Sequence, residues 1–329
     1  MADQDVLRIG TRGSPLALTQ TNGVKARLIA ANPRLAGARA VDIVVIKTTG
    51  DRVQDVVLSA LGGKGLFTKE LDEALLDGRI DLAIHSMKDV PTFLPEGIAL
   101  TTILPREDVR DAFVSPGCKT LGDLPPKSVV GTASTRRKAQ LLARRPDLRV
   151  VPLRGNVQTR IDRLAKGDMV ATLLAYAGLK RLGKADAATE ILPVDVILPA
   201  VGQGALAVTY RTGDSRILAL LRGLVDPATD IAVRAERAML LALDGSCQTP
   251  IAGYATLDGV GRVTLKGMIA HPEGTQIVEA EAVGPSNEAE ILGLKVANEL
   301  LLRAGPGLVR DIKKIEPHVY RVPTDDLGG

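Results

Sequence analysis

Short apolar strands alternate with helical segments over residues 1–210 of this sequence. Strands are expected at 6–9, 41–47, 80–84, 98–104, 112–114, 150–153, 170–174 and 205–210. Such alternation is typical of a mostly parallel sheet covered by helices, and its length is enough for two lobes. We interpret the charged turn at 106–111 and the turn-rich stretch at 199–204 as two crossovers between these lobes.

The pattern changes after about residue 227. A helix is expected at 231–243, followed by strands at 251–257, 262–270 and 276–282 without intervening helices, and a last helix at 287–302. The turn residues between these strands favour hairpins. We therefore predict a small α+β domain with a three-stranded antiparallel sheet. The expected boundaries are 1–104 with 205–226 for lobe 1, 105–204 for lobe 2, and 227–329 for the C-terminal domain.

Composition limits the classes of protein to consider. The 329 residues are enough for about two or three domains. No apolar run approaches the roughly 18 residues that span a membrane, and no secretory signal is recognisable. Three histidines and two scattered cysteines offer no metal-ligand spacing. We expect a cytoplasmic protein, monomeric, with no membrane association and no metal.

Arginines are concentrated between residues 131 and 160, where seven occur. Ser134 is expected to cap a helix that ends before Pro146, which places Arg136 and Arg137 in its first turn. A second strand and loop then lead to a helix that Asn156 is expected to cap and that carries Arg160 in its first turn. Cations at a helix N-terminus are unfavourable unless an anion lies beside them. The arrangement predicts a site for a multiply charged anion.

The same helix has two further arginines, Arg144 and Arg145, in its last turn. Cations suit that end of a helix, so these two need no ligand to explain them. Near the N-terminus, Ser14 followed by proline predicts another helix start, and Arg12 stands just before it. Arg12 is thus a third cation at a helix N-terminus.

Two loops hold further candidates whose roles the residues alone leave open. Lys88 and Asp89 follow the strand at 80–84, where α/β proteins bind ligands, although a single Lys–Asp pair is more often a solvated surface pair. The glycine-rich loop at 62–65 lacks the spacing of a nucleotide-binding P-loop, and we interpret it as a flexible loop beside the ligand. Cys247 lies in a polar loop and could be a nucleophile or an attachment point, whereas Cys118 is expected to be a buried apolar residue.

Taken together, these stretches closely resemble the porphobilinogen deaminase family over nearly the whole chain. The matching segments are RIGTRGSPLAL at 8–18, GGKGLFTKEL at 62–71, HSMKDVP at 85–91, REDVRDAFVS at 106–115, GTASTRRKAQ at 131–140, LRGNVQTR at 153–160, LPAVGQGA at 198–205 and GSCQTPI at 245–251. The resemblance implies an enzyme that joins four porphobilinogens head to tail and releases ammonia each time. It also implies two lobes like those of a type II periplasmic binding protein, and a dipyrromethane cofactor bound through a thioether to Cys247.

The resemblance further implies roles for individual residues. Carboxylates of the cofactor would be held by Lys88, Ser134, Arg136, Arg137, Arg154 and Arg160. The incoming pyrrole would face Arg12, Ser14, Arg154, Arg160 and Arg181. Asp89 would contact the pyrrole N–H groups of cofactor and substrate and stabilise the positive charge that develops as ammonia leaves.

Two other classes of function are weighed against this one. A two-lobed protein with an arginine-lined cleft could bind a polyanionic small ligand without catalysis. The isoelectric point near 9.1 would suit nucleic-acid binding. However, the net charge is only +4 and aromatic residues make up 2% of the chain, too few for base stacking. We expect no nucleic-acid partner.

Overall fold

The structure is a computed structural model that describes residues 6–37, 39–49, 68–245 and 249–313, with the side chains of 312 and 313 left aside. The glycine-rich loop at 62–65 and Cys247 lie outside these residues. The expectations for that loop and for the cysteine therefore stay predictions.

Lobe 1 is built on a five-stranded sheet. Its elements are β1 (Leu7–Arg12), α1 (Pro15–Ala31), β2 (Val41–Ile46), α2 (Lys69–Leu76), β3 (Leu82–Ser86), β4 (Ile98–Ile103), β10 (Leu206–Arg211) and α6 (Ser215–Leu221). The predicted start of α1 is confirmed, since the Ser14 hydroxyl accepts a hydrogen bond from the Ala17 amide and Pro15 is the first helical residue. β1 runs three residues further than expected, to Arg12.

Lobe 2 holds a second five-stranded sheet. Its elements are β5 (Asp111–Val114), β6 (Val129–Gly131), α3 (Thr135–Arg144), β7 (Arg149–Val151), α4 (Val157–Ala165), β8 (Ala171–Ala175), α5 (Tyr176–Arg181) and β9 (Glu190–Leu192). The sheet orders are β2-β1-β3-β10-β4 and β7-β6-β8-β5-β9. In each sheet one strand, β10 or β5, runs antiparallel to both neighbours. That strand is the one that follows a crossover from the other lobe, which confirms the two-lobed α/β class.

The C-terminal part has a helix, three antiparallel strands and a second helix. Its elements are α7 (Pro227–Ala242), β11 (Ile251–Leu257), β12 (Arg262–Ala270), β13 (Ile277–Pro285) and α8 (Ala289–Lys313), the last broken at Gly305. The expected α+β unit is confirmed. The predicted start of α7 was wrong by four residues, because Asp226 caps the helix and Pro227 is its first residue. The boundaries between the three parts stay a prediction.

The C-terminal part packs against both lobes. Val233 of α7 shares a buried apolar cluster with Met87 and Val90 of lobe 1. Met268 of β12 shares another with Ala139 and Leu198 of lobe 2. A helix of the C-terminal part thus lies directly behind the Lys88–Asp89 segment. Within the described ranges, no helix is long and apolar enough to cross a membrane.

A buried ion pair joins both crossovers to α7. The Arg106 guanidinium, in the first crossover, donates to the two carboxylate oxygens of Glu236 at 2.6 and 3.1 Å. The amide of Gly202, in the second crossover, donates to the same carboxylate at 2.7 Å. Glu236 is fully buried, and among the described residues the Ala255 amide also donates to this carboxylate, at 2.8 Å. The paths by which the chain passes between the lobes are therefore fixed against the C-terminal part.

Gly204 provides a test of how closely the two crossovers meet. Its φ is +89°, and a Cβ there would lie 2.2 Å from the Glu107 carbonyl oxygen. Gly213 has a similar φ of +82° but open space around it. Gly213→Ala should lower the free energy of unfolding by about 1 kcal/mol, from backbone strain alone. Gly204→Ala should cost at least about 2 kcal/mol more, because it adds a clash. Urea unfolding measures both, and equal losses would contradict the close approach.

Candidate functional site

A cleft of about 720 Å³ opens between the lobes. It lies at the carboxyl ends of the parallel strands, where loops and helix N-termini converge in this class of sheet. Apart from Cys247, every residue expected at the site lines it: Arg12, Ser14, Lys88, Asp89, Ser134, Arg136, Arg137, Arg154, Arg160 and Arg181. The structure therefore brings together residues that are as much as 169 positions apart in sequence, from Arg12 to Arg181.

Both arginine-bearing helices of lobe 2 begin as predicted. The Ser134 hydroxyl accepts from the Arg137 amide, and the Asn156 side-chain oxygen accepts from the Thr159 amide at 2.9 Å. The arginines that follow these caps therefore lie at the start of each helix, and Arg136, Arg137 and Arg160 all line the cleft. Arg144, in the last turn of α3, is not among the cleft-lining residues and donates to the Asp195 carbonyl.

The buried carboxylate of Asp111 changes the interpretation of Arg136 and Arg137. Nη2 of Arg136 lies 2.8 Å from one oxygen of Asp111, and Nη2 of Arg137 lies 2.7 Å from the other. Burial raises the pKa of Asp111, but the two guanidinium groups outweigh it and hold this pKa well below its usual range. The two arginines were expected to need an external anion, and the protein itself supplies one of the negative charges.

The single negative charge of Asp111 does not neutralise both guanidinium groups, so a negatively charged ligand can still bind to them. In the described part of the chain, Nε of Arg137 is buried without a hydrogen-bond partner. An orphaned donor of this kind is costly unless a further acceptor reaches it. A set of guanidinium, ammonium and hydroxyl donors suits carboxylates, so the site fits a cofactor or substrate that carries several of them.

Gln203, which the sequence analysis missed, joins this pair to Lys88. Its amide nitrogen donates to Asp111 at 2.9 Å, and its amide oxygen accepts from the Lys88 ammonium at 3.3 Å. Gln203 is only 1% exposed. Its place in the predicted crossover gave no signal of a polar role, because its partners are distant in sequence.

Burial lowers the pKa of several cations of the cleft and so disfavours their charged forms. It lowers the pKa of Lys88 to about 8, more than neighbouring Asp89 can offset. The pKa of Arg160 falls to about 10, first through burial and then through Arg137. Burial also lowers the pKa of Arg181, whose guanidinium donates to the Gly204 carbonyl at 2.7 Å. A bound anion would reverse these shifts, so anion binding and full protonation favour each other.

Charge in the cleft is strongly one-sided. Among the cleft-lining residues that the structure describes, eight are cationic and one, Asp89, is acidic. The eighth cation is Lys47, another residue missed from the sequence, which directly follows β2. Lys47 could have been predicted in the same way as Lys88, from its position just after a strand.

The two cysteines differ in position. Cys247 lies outside the described residues, but Thr249 and Ile251, just beyond it, line the cleft. Cys118 is not among the lining residues and packs on the lobe 2 core. It is partly buried, so the expectation of a buried apolar residue is confirmed in its packing on the core but not in full burial. Its Sγ lies 3.8 Å from the Asp123 carbonyl oxygen at the lobe surface.

Asp111→Asn removes the single counter-charge of two buried arginines and should lower the stability of the fold. We expect the free energy of unfolding at pH 7 to fall by about 3–5 kcal/mol, as when one partner of a buried pair is removed. Because the folded-state pKa of Asp111 is depressed, its stabilisation is present at neutral pH and is lost only below about pH 4. The variant should therefore be less sensitive than wild type to acid in that range.

The matched control is Asp147→Asn, which removes an exposed partner of Arg145 at 2.8 Å and should cost far less. Urea unfolding measured from pH 3 to 7 gives both results. Equal losses for the two variants would show that the Asp111 pair is not a special support of the site.

Two family models match this chain, one over most of the two lobes and one over the C-terminal part. The family model described as porphobilinogen deaminase, dipyromethane cofactor binding domain, matches residues 7–219. The model of the porphobilinogen deaminase C-terminal domain matches residues 231–302. Among solved structures, a periplasmic substrate-binding protein of an ABC transporter from Coxiella burnetii is 16% identical, with a TM-score of 0.42 over 68% of this chain and 94% of that one.

Curated relatives are far more similar to this chain in sequence. Porphobilinogen deaminase of Nitrobacter hamburgensis is 53% identical over 92% of this chain and 95% of that protein. The chloroplastic porphobilinogen deaminase of Oryza sativa is 51% identical over 93% of this chain and 86% of that protein. With both family models and these relatives covering nearly the whole sequence, the chain belongs to the porphobilinogen deaminase family.

Proposed function

We propose that this chain is a transferase that condenses four porphobilinogen molecules head to tail into hydroxymethylbilane, releasing ammonia at each addition, in tetrapyrrole (haem) biosynthesis. The observation that carries the proposal is the cleft, whose described lining residues include eight cations and a single carboxylate, Asp89. Each porphobilinogen carries an acetate and a propionate, so a growing chain gains two negative charges per addition. The one-sided charge of the cleft matches this substrate.

Residues of lobe 2, together with Lys88 of lobe 1, are suited to hold the dipyrromethane cofactor. In our proposal its carboxylates are bound by Lys88, Ser134, Arg136, Arg137, Arg154 and Arg160, and it is attached by a thioether to Cys247. When bound, the cofactor supplies the free pyrrole carbon to which the first substrate is joined. The orphaned Nε of Arg137 and the lowered pKa of Lys88 support these roles, because both groups gain from a carboxylate beside them.

The opposite wall of the cleft is suited to the incoming pyrrole. Arg12 ends β1, and Ser14 caps α1, so a cation and a helix N-terminus lie together. Arg181 ends α5 on the lobe 2 side. We propose that Arg12, Ser14 and Arg181 bind substrate carboxylates, with Arg154 and Arg160 serving both substrate and cofactor.

Asp89 is the proposed catalytic residue. It closes the 3₁₀ turn Met87–Asp89, directly after β3. Its charge acts on both Lys88 and Arg160, raising the pKa of each against the effect of burial. As ammonia leaves porphobilinogen, the methylene carbon and the pyrrole ring become positively charged. A fixed carboxylate at the pyrrole N–H stabilises that charge more than it stabilises the bound substrate, which lowers the barrier.

A non-enzymatic binder of a polyanionic ligand is the alternative. It would explain the cations but gives no role to a single acid among them, nor to a family domain described as binding a cofactor. The remaining expectations are part of the proposal: a monomer with no nucleic-acid partner, located in the cytoplasm. Lobe boundaries at 1–104 with 205–226, 105–204 and 227–329 belong to it as well.

Intact mass tests the proposal most simply. Purified protein should be heavier than its sequence by one dipyrromethane unit and should release ammonia from porphobilinogen. Cys247→Ser should have the bare mass and no activity. Cys118→Ser is the matched control and should keep both the adduct and most of the activity. An adduct mapped to Cys118, or active protein without any adduct, would overturn the assignment.

A further inference from the structure

The main chain that follows Asp89 is held by one arginine of the C-terminal part. Residues 90–97 form no helix or strand. Arg237 of α7 donates to three successive carbonyls there: to Val90 at 3.3 Å, to Pro91 at 2.9 Å and to Thr92 at 3.3 Å. A planar guanidinium, with several donors in a fixed geometry, can hold a stretch of backbone in one conformation better than an ammonium can. The turn that presents Asp89 is thus fixed from its carboxyl side.

The same stretch is tied to the end of α7. The Thr92 hydroxyl donates to the Gly245 carbonyl at 2.9 Å. Gly245 is the last described residue before Cys247, two positions along the chain. Val233, one turn before Arg237 on α7, also packs with Met87 and Val90 in one buried cluster. The backbone around Asp89 and the chain leading to Cys247 therefore share one support, helix α7.

We infer that Arg237 is a positioning residue for Asp89. It holds the backbone directly after that carboxylate, although it is not among the residues lining the cleft. The inference rests on the proposed function, in which Asp89 must meet a group covalently bound at Cys247. Because a displacement of about 1 Å at a reacting centre can cost about 100-fold in rate, a backbone clamp of this kind affects catalysis without touching substrate.

Arg237→Met removes the clamp and keeps an apolar stem of similar length. We expect kcat for porphobilinogen to fall about 10- to 100-fold while KM changes less than about threefold, since positioning acts on the transition state. The matched control is Arg234→Met, one turn earlier on α7, where the arginine pairs with Glu290 at 2.6 Å on the surface. That control should stay within about twofold of wild type.

A double mutant separates positioning from general damage. In an Asp89→Asn background the charge to be positioned is gone, so adding Arg237→Met should lower kcat by less than about threefold further. Hydrogen–deuterium exchange of the peptide covering 87–97 should rise in Arg237→Met and not in Arg234→Met. Should Arg237→Met be insoluble, Arg237→Lys is measured instead, with a smaller loss of kcat and the same dependence on Asp89.

Two results would overturn the inference. One is an equal loss of kcat from Arg237→Met in the presence and in the absence of the Asp89 charge, which would make Arg237 a general support of the fold. The other is a loss confined to KM. All variants are first checked by intact mass for the covalent adduct. Inactivity of the unsubstituted protein would refute the proposed function itself, which is a distinguishable outcome.

Discussion

The buried carboxylate of Asp111 is the interaction on which the cleft depends. It neutralises half of the charge on two buried guanidinium groups, each within 2.8 Å, so the N-terminus of α3 can be cationic in a folded protein. A fully neutralised pair would have little affinity for anions, and an unpaired one would be too costly to bury. One carboxylate for two arginines gives a site that folds and still attracts carboxylates.

Helix α7 holds the other backbone segments that border the cleft. Glu236 joins the two crossovers through Arg106 and Gly202, and Arg237, the next residue, holds the segment after Asp89. The C-terminal part is therefore more than an attachment for a cysteine loop. It fixes the backbone of both lobes at the place where the cleft walls meet.

Helix starts could be predicted from sequence because they depend on contacts between residues close in the chain. The caps Ser14, Ser134 and Asn156 depend on contacts three residues away, and all three are confirmed. The Asp226–Pro227 start of α7 is equally local and was overlooked. Asp111 and Gln203 could not be found in this way, because their partners lie 25 and 92 positions off and are brought near only by the crossovers. The exact lobe boundaries have no local signal either.

We propose that cations at helix N-termini, and not arginines in general, bind the carboxylates of the growing chain. Arg154 lines the cleft, whereas Arg144 ends α3 and bonds to a carbonyl. The most direct test is kcat/KM for porphobilinogen in Arg154→Leu and Arg144→Leu. We expect a loss of about 10- to 100-fold or more for Arg154→Leu, from charge-assisted bonds of about 1.5–3 kcal/mol, and a change within about twofold for Arg144→Leu. Equal losses in the two variants would contradict the account.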